Sequence, residues 1–209
     1  MLTDVLPSQY PEVQAYPNLK RILQDYIDVQ FSDLRTILKL PMPSRGLVAG
    51  CNFTAAAVLF NIVGGASVCF YDADPPTWGD RGDRFQDLLT NYYPWPGDDC
   101  YPIAKCVEML YKVARNPLTH SFGIGDPSAN DLVLAKKELA WPRVRQLEDS
   151  VRRPIWVKPT LYPSTEPKYK GKTALSVPTL YWGVHRMLHG LFADSAQVGK
   201  AEAFAARIT

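Results

Sequence analysis

Apolar residues recur at helical spacing through much of the chain. Leu19, Ile22, Leu23, Tyr26, Ile27, Phe31, Leu34 and Leu38 fall on one stripe, which predicts a long amphipathic helix from about 11 to 39. Pro17 either kinks that helix or marks its true start, and Pro41 and Pro43 end it. No charged residue occurs between Gly46 and Tyr71, so a second helix, apolar on every side, is expected from about 48 to 70. A shorter helix carrying Phe85, Leu88 and Leu89 follows and stops at Tyr93-Pro-Trp-Pro-Gly97. From Tyr101 to about Ala114, the residues Ile103, Val107, Leu110, Tyr111 and Ala114 share one helical face. The chain closes on a helix from about 178 to 206. Pro178 suits its first turn, and Leu180, Val184, Met187, Leu188 and Leu191 form its apolar side.

The stretch between these helices reads differently. Gly123 to Ser128 is a Gly/Pro/Ser turn, Leu132-Val-Leu134 a short strand, and Trp141 to Val151 a short helix. Pro154, Pro159, Pro163 and Pro167 then punctuate β-prone pieces, Ile155-Trp-Val157 and Thr173-Ala-Leu-Ser-Val177. The expected fold is therefore all-α: a bundle of about four main helices with a small β-hairpin-like insertion near 152–176. One domain spans 1–209, its core 11–125 and 178–206, its insertion 130–176.

Composition narrows the class. With 209 residues, 46% hydrophobic and 21% charged, the chain is an ordinary globular domain and not a disordered tail, collagen or coiled coil. A formal net charge of +2 gives no overall field toward nucleic acid, but the charge is unevenly placed. Residues 74–100 hold six aspartates against two arginines, and residues 143–172 hold eight Lys/Arg against three acids. The second set is Arg143, Arg145, Arg152, Arg153, Lys158, Lys168, Lys170 and Lys172. It is either a solvated loop face or a surface that tracks the phosphates of an RNA strand.

Residues 47–70 are long enough to cross a bilayer. Asn52, Thr54, Asn61, Gly64-Gly65 and the missing aromatic belts favour a buried core helix instead. The segment Met1 to Pro7 has neither the basic start nor the apolar centre of a signal peptide. Cys51, Cys69, Cys100 and Cys106 form no CxxC pair and read as reduced thiols, at least two of them in the core. The expectation is a cytoplasmic protein without membrane, metal or cofactor.

Candidate chemistry is sparse. There is no phosphate-binding glycine loop, no G-x-S-x-G elbow and no HExxH. Cys106 could be written as a nucleophile with His120, but it falls at a core-like helix position. His185 and His189 stand four apart and share a helix face, for which a surface or groove position is expected over a metal edge.

His120 is different, because it ends the run Arg115-Asn116-Pro117-Leu118-Thr119-His120 directly after the best-patterned helix. An imidazole moves protons at neutral pH, and a guanidinium holds a phosphate bidentately while neutralising charge that develops on it. Asn116, four residues before His120, can orient either group. Arg115 and His120 lie about 140° apart on an ideal helix. They converge only if Pro117 breaks the helix or if two subunits share a site. The same residues also make a plain structural corner, with Asn116 as cap and Pro117 in a first turn.

Arg115-Asn116-x3-His120 resembles the R-x4-6-H motif of HEPN domains (higher eukaryotes and prokaryotes nucleotide-binding). Arg84 to Pro94 and Leu110 to His120 are similar to a group of bacterial HEPN-like proteins. The resemblance covers about 15 to 125. It implies a helical, often homodimeric domain and a metal-independent endoribonuclease of toxin–antitoxin or phage-defence type. By it, Arg115, Asn116 and His120 are the catalytic set, RNA is the substrate, a cognate antitoxin or regulator is a possible partner, and the products end in 2′,3′-cyclic phosphate. The same resemblance also admits a non-catalytic module that binds a protein or nucleotide.

Overall fold

Pro17 opens the first helix. It has no amide hydrogen to leave unpaired, and it holds its predecessor Tyr16 outside helical geometry, at φ −120° and ψ 84°. Residues 11–16 are therefore not helical continuation as the stripe suggests. They include a 3-10 turn, Pro11–Val13, behind another at Pro7–Gln9. In the computed structural model the described residues are 5–39, 51–71, 81–95, 100–115, 132–135 and 159–209.

The first helical run has three parts: α1 (Pro17–Ile22), a π-helical segment (Leu23–Asp28) and α2 (Val29–Lys39). The wider i→i+5 turn re-phases the helix. Before it Leu19 and Ile22 face the core, and after it Phe31, Leu34 and Leu38 do. Tyr26 is central to the predicted stripe yet turns outward and is 64% exposed, while Asp28 is brought inside.

Helix α3 (Asn52–Cys69) buries Ala55, Ala56, Leu59, Phe60, Ile62, Val63 and Ala66 against α4 (Arg81–Tyr92) and the helix α6 described below. By length and composition α3 is the one helix among the described residues long and apolar enough to cross a membrane, and half of it is buried. Helix α4 buries Phe85, Leu88 and Leu89 as expected. Helix α5 (Ile103–Glu108) runs into a second π-helical segment, Met109–Arg115. Cys106, Val107, Leu110 and Ala114 are its buried side, whereas Ile103, expected on that face, is 43% exposed.

Three short strands, β1 (Leu132–Ala135), β2 (Leu161–Pro163) and β3 (Thr173–Ser176), form a sheet in the order β1-β3-β2. Strands β2 and β3 are antiparallel, with Tyr162 opposite Ala174. Strand β1 adds a parallel third strand with Leu132 opposite Thr173. The hairpin lies within the expected 152–176 stretch, and the strand expected at Leu132 to Leu134 completes the sheet. The expected strand at 155–157 and the helix at 141–151 lie outside the described residues. All four residues of β3 are buried, which suits its central position.

The sheet feeds directly into α6 (Val177–Ala193), where the Ser176 hydroxyl accepts from Thr179 N at 3.3 Å and Pro178 sits in the first turn. The single helix expected from 178 to 206 is two helices. Asp194, in extended geometry, ends α6 and caps α7 (Ser195–Ile208), its Oδ1 accepting from Ala196 N at 2.9 Å and Gln197 N at 3.4 Å. The fold is thus mainly helical with a small three-stranded sheet, as far as the described residues extend.

Helix α1 has no cap of its own and borrows one from α7. The Glu202 carboxylate accepts from Leu19 N at 2.7 Å, Asn18 N at 3.3 Å and Asn18 Nδ2 at 2.8 Å. Glu202→Ala is expected to cost about 1–2 kcal/mol, the worth of a lost cap, with Glu202→Gln recovering part of it. Urea unfolding of the three proteins reads the difference. Equal midpoints would remove the cap from the account.

Candidate functional site

Arg115 ends the second π-helical segment and is half-buried. Leu110 and Ala114 pin the inner side of this segment to the core, and Tyr111 braces the outer side. The Tyr111 ring tilts against Phe85 with centroids 5.4 Å apart, and its hydroxyl crosses Gly82, where a Cβ would lie 2.5 Å from it. The Arg115 guanidinium stands over that same ring, 5.8 Å from its centroid. Asn116, Pro117 and His120 lie outside the described residues, as do Arg143, Arg145, Arg152, Arg153 and Lys158. Of the expected RNA-facing residues, Lys168 and Lys170 are exposed and Lys172 is half-buried, all between β2 and β3.

His185 departs from expectation. It does not lie on a surface or in a groove but deep beneath the N-terminal segment. Nε2 lies 2.8 Å from the Val5 carbonyl and donates to it, because a carbonyl can only accept. Nδ1 is then an acceptor in the neutral ring and takes the Tyr10 hydroxyl at 2.9 Å; that hydroxyl is also 3.1 Å from the His185 carbonyl. Phe31 and Trp182 close the box. Burial, then the Arg35 cation, pushes the imidazole down to about 3, opposed by its bond to Val5. Both ring nitrogens are engaged, so no lone pair is left for a metal. His189 shares the face but is half-exposed, with Nε2 3.7 Å from Glu12 Oε2. Among the described residues, no three His, Cys, Asp or Glu side chains converge.

Asp28, turned inward by the π segment, accepts from Ser8 N at 3.2 Å and from the Ser8 hydroxyl. Burial raises its carboxyl pKa, and the Ser8 bonds and Arg35 pull the other way. Tyr10, Asp28 and His185 together fasten residues 5–16 to α6 and to the π segment. No sequence signal points to this cluster, because Tyr10 and His185 are 175 positions apart.

No protein-family model, curated protein or solved structure matches this chain. The cysteine expectation is corrected in part: Cys106 is fully buried, but Cys51 and Cys69 are only half-buried and Cys100 is exposed. Cys106 Sγ lies 3.6 Å from the Tyr101 carbonyl, in the core and away from any solvent that thiol catalysis would need.

Proposed function

We propose that the chain is a metal-independent endoribonuclease of HEPN type. Its fold would be a bundle of four main helices, active as a homodimer in the cytoplasm and serving as a toxin or phage-defence component. The observation that supports this most is the position of Arg115: a half-buried guanidinium on the widened helical segment, directly ahead of Asn116, Pro117 and His120 in the sequence. In this reading His120 takes the proton from a ribose 2′-hydroxyl and returns one to the leaving 5′-oxygen. The 2′-oxygen attacks its own phosphorus, leaving a 2′,3′-cyclic phosphate. Arg115 neutralises the charge gathering on the phosphoryl oxygens, and Asn116 orients the imidazole.

A second reading, a non-catalytic module that binds a protein or nucleotide, is favoured by one contact. The Arg115 cation lies over Tyr111, a placement that also suits a purely structural corner.

The test incubates the purified chain with labelled RNA in EDTA beside a His120→Ala variant. Cleavage is expected from the parent, with cyclic phosphate ends, and is expected to fall by about 10²-fold in the variant. Cleavage abolished by EDTA removes the metal-free mechanism. Cleavage that survives His120→Ala removes the residue assignment, and none from either protein leaves the binding-module reading.

A further inference from the structure

The sequence places one basic block at 143–172, but the structure joins its end to a lysine more than sixty positions earlier. The Tyr101 hydroxyl, just ahead of α5, bonds Thr173 Oγ1 at 3.1 Å, at the start of β3. Lys105, in the first turn of α5, holds its ammonium 5.0 Å from the Tyr101 ring centroid. Lys172 is the residue next to Thr173. On the same hairpin connection, the Lys168 ammonium stands 5.3 Å from the Tyr169 ring.

The connection is firmly built. Lys172 N donates to Tyr169 O at 3.0 Å, Ser164 N to Lys172 O at 2.7 Å, and Gly171 supplies the left-handed turn at φ +84°. Lys105, Lys168 and Lys170 are exposed and Lys172 half-buried. Among the described residues none of the four forms an ion pair, although Lys112 in the following π-helical segment is paired to Glu108 at 2.8 Å.

Four lysines that form no ion pair among the described residues, interleaved with two tyrosine rings at α5 and on the β2–β3 turn, match what a single strand of nucleic acid requires. The cations track its phosphates and the rings offer faces to its bases. We propose that Tyr101, Lys105, Lys168, Tyr169, Lys170 and Lys172 form a docking surface for single-stranded RNA. The proposal rests on the ribonuclease reading for its choice of ligand. It also sets a direction for the strand. The surface lies at the N-terminal end of the helical run Ile103 to Arg115 and Arg115 at the other, about 20 Å away at helical rise. A strand of the ~4–16 nucleotides that such surfaces hold spans that distance.

The test measures binding of fluorescein-labelled 2′-O-methyl oligouridylate, which cannot be cleaved, by fluorescence anisotropy in EDTA across a salt series. The proteins are the full chain, the triple variant Lys168→Gln/Lys170→Gln/Lys172→Gln, and Lys105→Gln. The triple variant is expected to bind about tenfold more weakly, with a log K against log salt slope shallower by about 2, three contacts at ~0.7 each. Lys105→Gln is expected to weaken binding in the same direction by a smaller factor. Thermal melts confirm that the variants fold.

Equal affinity of parent and triple variant overturns the proposal, as does failure of the parent to bind. Equally strong competition by polyglutamate overturns the assignment to RNA. Turnover of unmodified RNA separates this proposal from the ribonuclease reading. A raised KM with unchanged kcat in the lysine variants supports the surface. Cleavage with an unmoved KM overturns the surface alone. Lysine-dependent binding without any cleavage supports the surface and removes the catalytic assignment.

Discussion

Lowering the pH from 7 to 4 is expected to cost the folded chain about 3 kcal/mol through one side chain, His185. In the unfolded chain this imidazole takes up a proton near pH 6.5, but in the folded chain it does so only near 3. Between those values the unfolded state binds more protons, so stability is complete above pH 6.5 and is lost as pH falls toward 3, at about 1.4 kcal/mol per unit. The hydrogen bonds do not oppose protonation. With a proton on Nδ1, the Tyr10 hydroxyl can accept it and turn its own hydrogen to the His185 carbonyl, 3.1 Å away. The resistance comes first from burial, then from Arg35, with smaller contributions from His189 and Arg186.

Asp28 works against the trend. Its carboxyl pKa is raised in the folded state, so its contribution is complete below about 3.8 and is lost as pH rises through the folded value. The clearest window is therefore pH 6.5 to about 4.5. Urea unfolding at half-unit steps reads the slope. His185→Gln, which can still donate to Val5 O but does not titrate, is expected to flatten it. A variant with the parent's slope would take His185 out of the acid response.

Gly183→Ala is expected to destabilise the chain by about 3 kcal/mol. A Cβ on Gly183 would lie 2.2 Å from both Tyr93 Cζ and its hydroxyl oxygen, and 2.3 Å from Cε2. Such contacts do not exist between non-bonded atoms, so the ring has to move. It has no room: Tyr93 is 4% exposed, packs against Trp95 with centroids 4.5 Å apart, and bonds the buried Thr160 hydroxyl at 2.7 Å. Displacing it adds overpacking of ~1–3 kcal/mol to a broken buried hydrogen bond of ~1–3 kcal/mol, offset by about 1 kcal/mol of helix propensity that alanine gains over glycine. The strain spreads to the sheet, because the Thr160 carbonyl accepts from Ser176 N at 2.9 Å at the cap of α6.

Gly65, on the open face of α3, provides the contrast, because a Cβ there meets nothing within 4 Å. Gly65→Ala is expected to gain up to about 1 kcal/mol. Tyr93→Ala placed in the Gly183→Ala background is expected to recover part of the loss, a coupling that denaturant midpoints of the single and double variants would measure. A loss below 1 kcal/mol for Gly183→Ala would overturn the close contact.

The periodicity of apolar residues was enough to locate the helices carrying Leu19 to Leu38, Phe85 to Leu89, Cys106 to Ala114 and Leu180 to Leu191, and the uncharged run located the one carrying Ala55 to Ala66. The reason is that each must bury one stripe against its neighbours whatever the partner is. Proline chemistry likewise set the first turn at Pro178, and of the two roles open to Pro17, kink or start, the structure selects the start. The candidate site was legible only as a motif. Arg115 lies on a helical segment, and the residues that would complete the site, Asn116 and His120, follow from sequence alone.

The tertiary structure decided what local pattern cannot encode. The π turns rotate Tyr26 outward and Asp28 inward, a change of phase invisible to a strict 3.6-residue period. Asp194 breaks the last helix because its carboxylate finds Ala196 N and Gln197 N, a cap that an unbroken apolar stripe conceals. His185 is sealed in by Val5 and Tyr10 from the far end of the chain, and Tyr101, with Lys105 over its ring, bonds Thr173 at the start of β3. Such pairings depend on where the packed core brings distant segments together, and the sequence carries that only as the sum of all its contacts.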